Sequence, residues 1–534
     1  MRHVIVKRAL PLLLAVVMVL LAACSTAGTG VSAQPSGTPA VSADAAGSSP
    51  AASAQAAEPV TMTCFLNHTW YWTDKFEGII PETITAKTGV KLDTTRAVDD
   101  KQLGLMIASG DLPDLVWTSS DLDRLSDPKL SYSYTDLMAK YTPDWKVDKL
   151  RETNAASYSK DGKIYFILNN FNTAEEWSQY PGTPMLPSLA YRSDIMEALG
   201  NPKMTTLDDF VNILGMVKEK YPDKIPLATS TDAGWRMMFF RCMMGIGNSN
   251  FIENTDGSVI YYVDHPKYKD YCAFVNNLYR KGYINADNFS LSDTDTKPLF
   301  QNAKSFAFSG FSQGEMYRYG QMAQAVEPGA KVLESKPLGT DGVYYSSGIG
   351  WSGLVITQKN KNPDKAIGMM QYLFTDEGQK LGEWGRKGIE FTMGDDGYPK
   401  FSDEWIAAAA SDKTLYTKYN PAFFFGTSGA VEATGRIAVL PADYRAVYST
   451  FKPLMKVCPW MAYAEPKGDS EENTIYTKMK DLTYNSEVKV FLSASDAEFT
   501  KNFDEYIANA KQIGVEKLQK YMTEHVAQAK ALYK

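Results

Sequence analysis

From Pro59 to Lys534, short β-rich runs alternate with helix-periodic stretches for 476 residues. That alternation limits the fold more than any other feature. It calls for α/β layering, with sheets covered by helices, rather than a sandwich of strands alone. The length exceeds one ordinary core and implies two or more lobes. VTMTCFL (60–66) reads as a strand, with a helix following around Ile79–Ala86. KIYFIL (163–168), SLAYR (188–192), KSFAFSG (304–310) and GLVIT (353–357) read as further strands. Leu207, Phe210, Val211, Leu214 and Val217 recur at helical spacing on one face. Thr206 stands at that helix's N-cap, with Asp209 three residues on as a capping box. Asn362 and Pro363 suit the cap and first position of another helix, whose buried face is Ile367, Met370, Leu373 and Phe374. The chain ends in two helices broken at Gly514.

The amino terminus has different properties. A basic start (Arg2, Lys7, Arg8) and an apolar run from Ala9 to Ala23 lead into Cys24, the pattern of a secretory signal. The run is 15 residues, short of the roughly 20 that span a bilayer as a helix. Its end, Leu21-Ala22-Ala23-Cys24, resembles the bacterial lipobox, which implies cleavage before Cys24 and acylation of its thiol. Residues 25–57 carry one charge, Asp44, and no aromatic. They cannot bury enough apolar surface to offset their ordering entropy and read as a flexible tether. The expected product is a lipid-anchored protein on the extracytoplasmic face of the cell membrane.

Composition narrows the chemistry. Formal charge is −7, and −10 once the first 23 residues are set aside, with no polybasic run. That excludes an electrostatic nucleic-acid binder. The four histidines are scattered, so HExxH metal sites are absent, and no glycine-rich phosphate loop follows a strand. Asp293-Thr294-Asp295 opens like an EF-hand loop, but Lys297 and the missing glycine break it. Asp395-Asp396-Gly397 reads as a hairpin turn. No cofactor or metal is expected. Cys64, Cys242, Cys272 and Cys458 lie far apart and read as core thiols, with their pairing left open.

Six segments in order resemble the family 1 extracellular solute-binding proteins, the receptors of ABC importers, of which maltose-binding protein is a distant member. They are LMIASGDLPDLVW (105–117), DGKIYFIL (161–168), AYRSDIMEALGNPKMTTLDDF (190–210), FVNNLYRKGYINAD (274–287), NPDKAIGMMQYLFTDEGQKL (362–381) and the terminal helices broken at Gly514. The resemblance is nearest to lipoprotein receptors of sugar importers. It implies a two-lobed periplasmic-binding-protein-like α/β fold with hinge strands and an interlobe ligand cleft. The first lobe would comprise 60–175 and about 332–400, the second about 176–331 and 401–534. Ligands in such sheets bind beyond the carboxyl ends of strands, and hinge closure buries them from both sides. A monomer delivering an oligosaccharide to a membrane permease, without covalent chemistry, is what the resemblance implies.

The loops at strand ends hold the candidate contacts. After the first strand come Asn67, His68, Trp70 and Trp72; after LVW, which ends in Trp117, come Ser119 and Asp121. Trp235 and Arg236 follow the IPLATS strand, Phe311 follows KSFAFSG, and Trp351 lies near a return crossing. An aromatic ring covers the apolar face of a sugar, at about 25 cal/mol per Å² buried, while amides and carboxylates pair its hydroxyls. Each aromatic has a competing role in the core, above all Trp384, Trp405 and Trp460 on or beside helices. Asp121 also suits a helix cap, and Arg192 and Arg236 suit inter-lobe ion pairs or a ligand carboxylate. Two other functions share these features: an extracellular glycosidase or lyase, which needs a pair of carboxylates, and a binding subunit for a sensor kinase.

Overall fold

A computed structural model describes residues 58–532 except 72, 231–234, 292, 312–313, 410 and 422–424. The expected signal, Cys24, the expected tether and Trp72 lie outside the described residues. Two four-stranded sheets carry the fold. In chain order their strands are β1 (Val60–Leu66), β2 (Val90–Arg96), β3 (Leu115–Thr118), β4 (Pro187–Arg192), β5 (Ile225–Thr229), β6 (Ser305–Phe311), β7 (Val332–Glu334) and β8 (Gly353–Ile356). The first sheet runs β8-β3-β1-β2 and the second β5-β6-β4-β7. β1 is parallel to β2 and β3, and β8 returns antiparallel to β3. β5 and β6 are parallel, and β4 runs against both β6 and β7.

Local chemistry explains the elements. The helix Gln102–Ser109 stops at Gly110, which takes φ 71 and donates back to Ile107. Asp114 then accepts from the Thr63 amide at 2.9 Å and hydroxyl at 2.7 Å, which pins the start of β3 to β1. The helix Leu207–Lys220 has the full capping box of Thr206 and Asp209. Gly514, at φ 109, separates the helices Asp496–Ile513 and Val515–Leu532. Residues 395–397 turn between the paired segments Phe391–Met393 and Pro399–Phe401.

Two local expectations need correction. Asn362 makes no side-chain cap; its amide donates to Asn360 Oδ1 at 2.8 Å, so Asn360 organises the entry to the helix Pro363–Leu373. KIYFIL is buried but forms no regular strand, bridging only at Leu168 to Gly353. Its first backbone groups serve the next element instead: Ile164 O accepts from Tyr134 N at 2.7 Å, and Ile164 N donates to Thr135 Oγ1 at 3.0 Å.

Each sheet has its own core. Met62, Leu66, Val116, Leu354 and Met370 pack in the first, and Phe210, Leu227, Phe240, Val275 and Leu518 in the second. β7 completes the second sheet by pairing with β4. Trp405, Tyr419 and Phe425 pack into the first core, because the helices there cover its flank. Antiparallel bridges Leu168–Gly353 and Phe171–Ile349 join the outgoing and returning crossings. The helix Gly429–Ala438 makes a third link: Val431 packs with Trp384 and Phe391, while Ile437 joins Tyr444 and Tyr448 against Tyr317 and Leu333. Gly350 is required here. It holds φ 78, and a Cβ on it would stand 1.8 Å from Asn169 O. Cys64, Cys242 and Cys272 are buried thiols and Cys458 is half-buried, none of them bonded to another. No helix among the described residues is long and apolar enough to cross a membrane.

Candidate functional site

The carboxyl ends of β1 and β3 gather an aromatic cluster. The His68 ring lies edge-on to Trp117 at 4.2 Å, 5.2 Å from Trp351 and 5.3 Å from Trp70. Trp70 is 55% exposed and Trp351 half-buried, so they leave ring surface open. Trp117 does not. It is wholly buried, with Nε1 donating to Ser352 Oγ at 2.8 Å, and so is the floor of the cluster rather than an open stacking face. Its strand is central in the sheet and buried along its length, which takes its side chains out of reach.

His68 is 4% exposed, and its Nε2 has no hydrogen-bond partner among the described residues. Burial lowers its pKa to about 4, so the ring is neutral near pH 7. Its Nε2 is itself buried beneath the surrounding rings. Asn67 Nδ2 donates to Thr118 Oγ1 at 3.0 Å and Ser120 Oγ at 3.1 Å. Ser119 is exposed. Asp121 precedes the short helix Leu122–Leu125 at φ 54 without capping it, and pairs with Arg124 at 2.7 Å. Beside Thr69 a depression of about 570 Å³ is lined by Asp74, Thr94, Thr95 and Arg96.

The carboxyl ends of β5 and β6 carry a second aromatic pair, Trp235 and Phe311, 5.3 Å apart. Thr229 Oγ1 accepts from Met237 N at 3.1 Å, and Met237, two residues after Trp235, takes φ 53. Lys297 Nζ lies 5.4 Å above the Phe311 ring. Arg236 points the other way. It is buried, donates to Tyr484 O at 3.1 Å and lies 3.6 Å from the Glu487 carboxylate. Arg192 pairs with Asp194 at 2.7 Å and Glu327 at 2.6 Å. Both arginines are therefore committed within the second lobe, not to an inter-lobe pair.

At the crossings the structure adds polar residues that the sequence did not single out. Asn169 Oδ1 accepts from Ser352 N at 3.0 Å and from its hydroxyl at 2.9 Å. Asn170, at φ 54, donates to Glu432 Oε2 at 2.6 Å. Arg436 pairs with the other oxygen of Glu432 at 2.6 Å. Thr427 donates to Glu383 Oε1 at 3.0 Å, and burial beside Glu432 raises the Glu383 pKa. No sequence spacing relates positions 170, 383 and 432; only the neighbouring Asn169-Asn170 pair, with its tolerance of positive φ, carried a signal. Among the described residues no group of three or more His, Cys, Asp or Glu is placed to hold a metal.

Residues 69–380 match the family model of the bacterial extracellular solute-binding proteins. Over 237 residues the chain is 28% identical to the fructooligosaccharide ABC transporter substrate-binding protein FusA of Streptococcus pneumoniae serotype 4, a match covering 40% of this chain and 43% of that protein. The chain thus spans under half the length of that curated relative in the matched region. Two solved structures share the fold. The S. pneumoniae FusA complex with kestose has a TM-score of 0.67 at 18% identity, covering 88% of this chain and all of that one. The alginate-binding protein AlgQ2 has a TM-score of 0.66 at 19% identity, covering 88% and 98%.

Proposed function

The chain belongs to the bacterial extracellular solute-binding proteins, and on that basis we propose that it captures an oligosaccharide between its lobes and delivers it to an ABC permease. One observation carries this reading: aromatic rings stand at the carboxyl-end edge of both sheets, exposed Trp70 with half-buried Trp351 on one and half-buried Trp235 with Phe311 on the other. Rings of this kind cover the C–H faces of sugars, while Asn67 and Ser119 offer hydrogen bonds to hydroxyls. FusA, named for fructooligosaccharides, and the alginate-binding protein support a saccharide as the class of solute.

The proposal includes a diacylglycerol anchor on Cys24, the tether of residues 25–57, a monomeric receptor and no catalysis. Two acyl chains suffice for stable membrane attachment. A thermal-shift panel of neutral oligosaccharides, uronates and peptides tests the ligand class; stabilisation by peptides alone overturns it. Recovery of intact saccharide after long incubation tests the absence of catalysis. The Cys24→Ser variant tests the anchor and should leave the membrane fraction or retain an uncleaved signal.

A further inference from the structure

A further contact joins the lobes beside the crossings, where Tyr158 packs on Phe166. Residues 465–468 lie between Tyr463, which packs on the second core, and the helix Glu471–Phe491. This loop reaches the first lobe through Lys467. Its ammonium donates to Ser157 Oγ at 2.8 Å and to Tyr463 O at 3.4 Å. It lies 4.5 Å from the Tyr158 ring centroid and 5.4 Å from that of Tyr463, one ring from each lobe.

The receiving end is prepared for a cation. Ser157 is the C-cap of the helix Lys149–Ala156, whose last carbonyls carry partial negative charge. Its hydroxyl donates to Asn154 O at 2.6 Å, which leaves a lone pair turned to the lysine. Tyr158 is held edge-on to Phe166 at 5.2 Å, fixing the ring beneath the ammonium. Burial lowers the Lys467 pKa to about 8 against the pull of Glu465, so the group is still charged at pH 7. A cation–π contact made out of water is stronger than an exposed one. Gly468 is beside Asp123, a Cβ on it falling 3.7 Å from the carboxylate, and Asp123 belongs to the short helix that follows β3. The contact therefore abuts the same edge of the first sheet that carries the aromatic cluster.

We propose that Lys467 clasps the two lobes, and that its hold on Ser157 and Tyr158 sets how long the protein stays closed around its solute. The inference rests on the solute-binding reading. Any movement that carries residues 465–468 away from the helix Lys149–Ala156 withdraws the ammonium from Ser157 and from the Tyr158 ring together. A residue that stabilises only the closed state slows release without touching the ligand.

The test compares wild type with Lys467→Met, which keeps the apolar stem and removes the charge, and with Lys467→Arg, which keeps a cation. Ser157→Ala serves as a second, milder variant. Small-angle scattering on ligand-free protein reads the lobes directly and needs no known solute. Lys467→Met should enlarge the radius of gyration and Lys467→Arg should restore it. With a saccharide from the thermal-shift panel, stopped-flow tryptophan fluorescence should show release about tenfold faster in Lys467→Met and association unchanged. An unchanged or smaller radius in both Lys467→Met and Ser157→Ala overturns the clasp, as does unaltered release. Absence of any saccharide binding in wild type counts against the carbohydrate reading instead, and the scattering result still decides the clasp.

Discussion

The Trp117 indole nitrogen donates to Ser352 Oγ at 2.8 Å, and that hydroxyl in turn donates to Asn169 Oδ1 at 2.9 Å. One short chain of hydrogen bonds thus joins the floor of the aromatic cluster to both the outgoing and the returning crossing. Ser352→Ala would strand the buried indole N–H and should cost about 1–3 kcal/mol of stability. Denaturant unfolding checks this. Trp117→Ala should cost more, about 3–5 kcal/mol, as a large aromatic lost from a core.

Trp70 and Trp235 should behave in the opposite way. Trp70 is exposed, so Trp70→Ala should change stability by no more than about 0.5 kcal/mol. It should weaken saccharide binding about tenfold or more by titration calorimetry. Trp235→Ala should lose about 3 kcal/mol of binding, roughly a hundredfold, while melting near wild type.

His68 should not make binding depend on pH across the physiological range. With a folded pKa near 4, its ring is neutral from about pH 5.5 to 8, and affinity should be flat over that window. Its folded value is depressed, so the unfolded chain binds the proton first. The stability it contributes is full above about 6.5 and is lost as pH falls through 4. An NMR titration should find its ring resonances moving near pH 4.

Glu334 on β7 has the reverse sign. It is buried, accepts from Tyr448 Oη at 2.7 Å, and burial lifts its pKa from 4.5 to about 7. A raised folded value means that its contribution is full below about 4.5 and fades as pH rises through 7. The span corresponds to about 3 kcal/mol. Glu334→Gln keeps an oxygen for Tyr448 and should flatten the profile. Its melting temperature should exceed wild type at pH 8 and fall to or below it at pH 4.

Gly350→Ala should be among the most damaging small changes in the chain. The added methyl meets the Asn169 carbonyl, and φ 78 strains any L side chain. Loss of soluble, cooperative unfolding by circular dichroism is the expected result.

Periodicity and punctuation made much of this fold legible from the sequence. The Thr206–Asp209 box, Gly110 and Gly514 are local signals, and each marks a real helix end. KIYFIL misled because its composition suits a strand, while its partners, Tyr134 and Thr135, sit at a helix start that no local pattern connects to it. Trp117 carried a readable warning: LVWT has no polar alternation, as befits a strand covered on both faces. Arg236 carried none, since in a turn adjacent side chains diverge and only the fold sends Trp235 one way and Arg236 the other. The polar residues at the crossings were unreadable for a simpler reason. Asn170 and Glu432 are partners across 262 positions.

The packing of Trp405, Tyr419 and Phe425 in the first core has a consequence for how the protein is made. A nascent chain emerges amino end first and folds by units as they become complete. Here the strands β1 to β3 appear early, yet β8 and these three aromatics follow only after the whole second sheet has been synthesised. The first lobe must therefore wait, with part of its apolar surface uncovered, for more than three hundred residues to leave the ribosome.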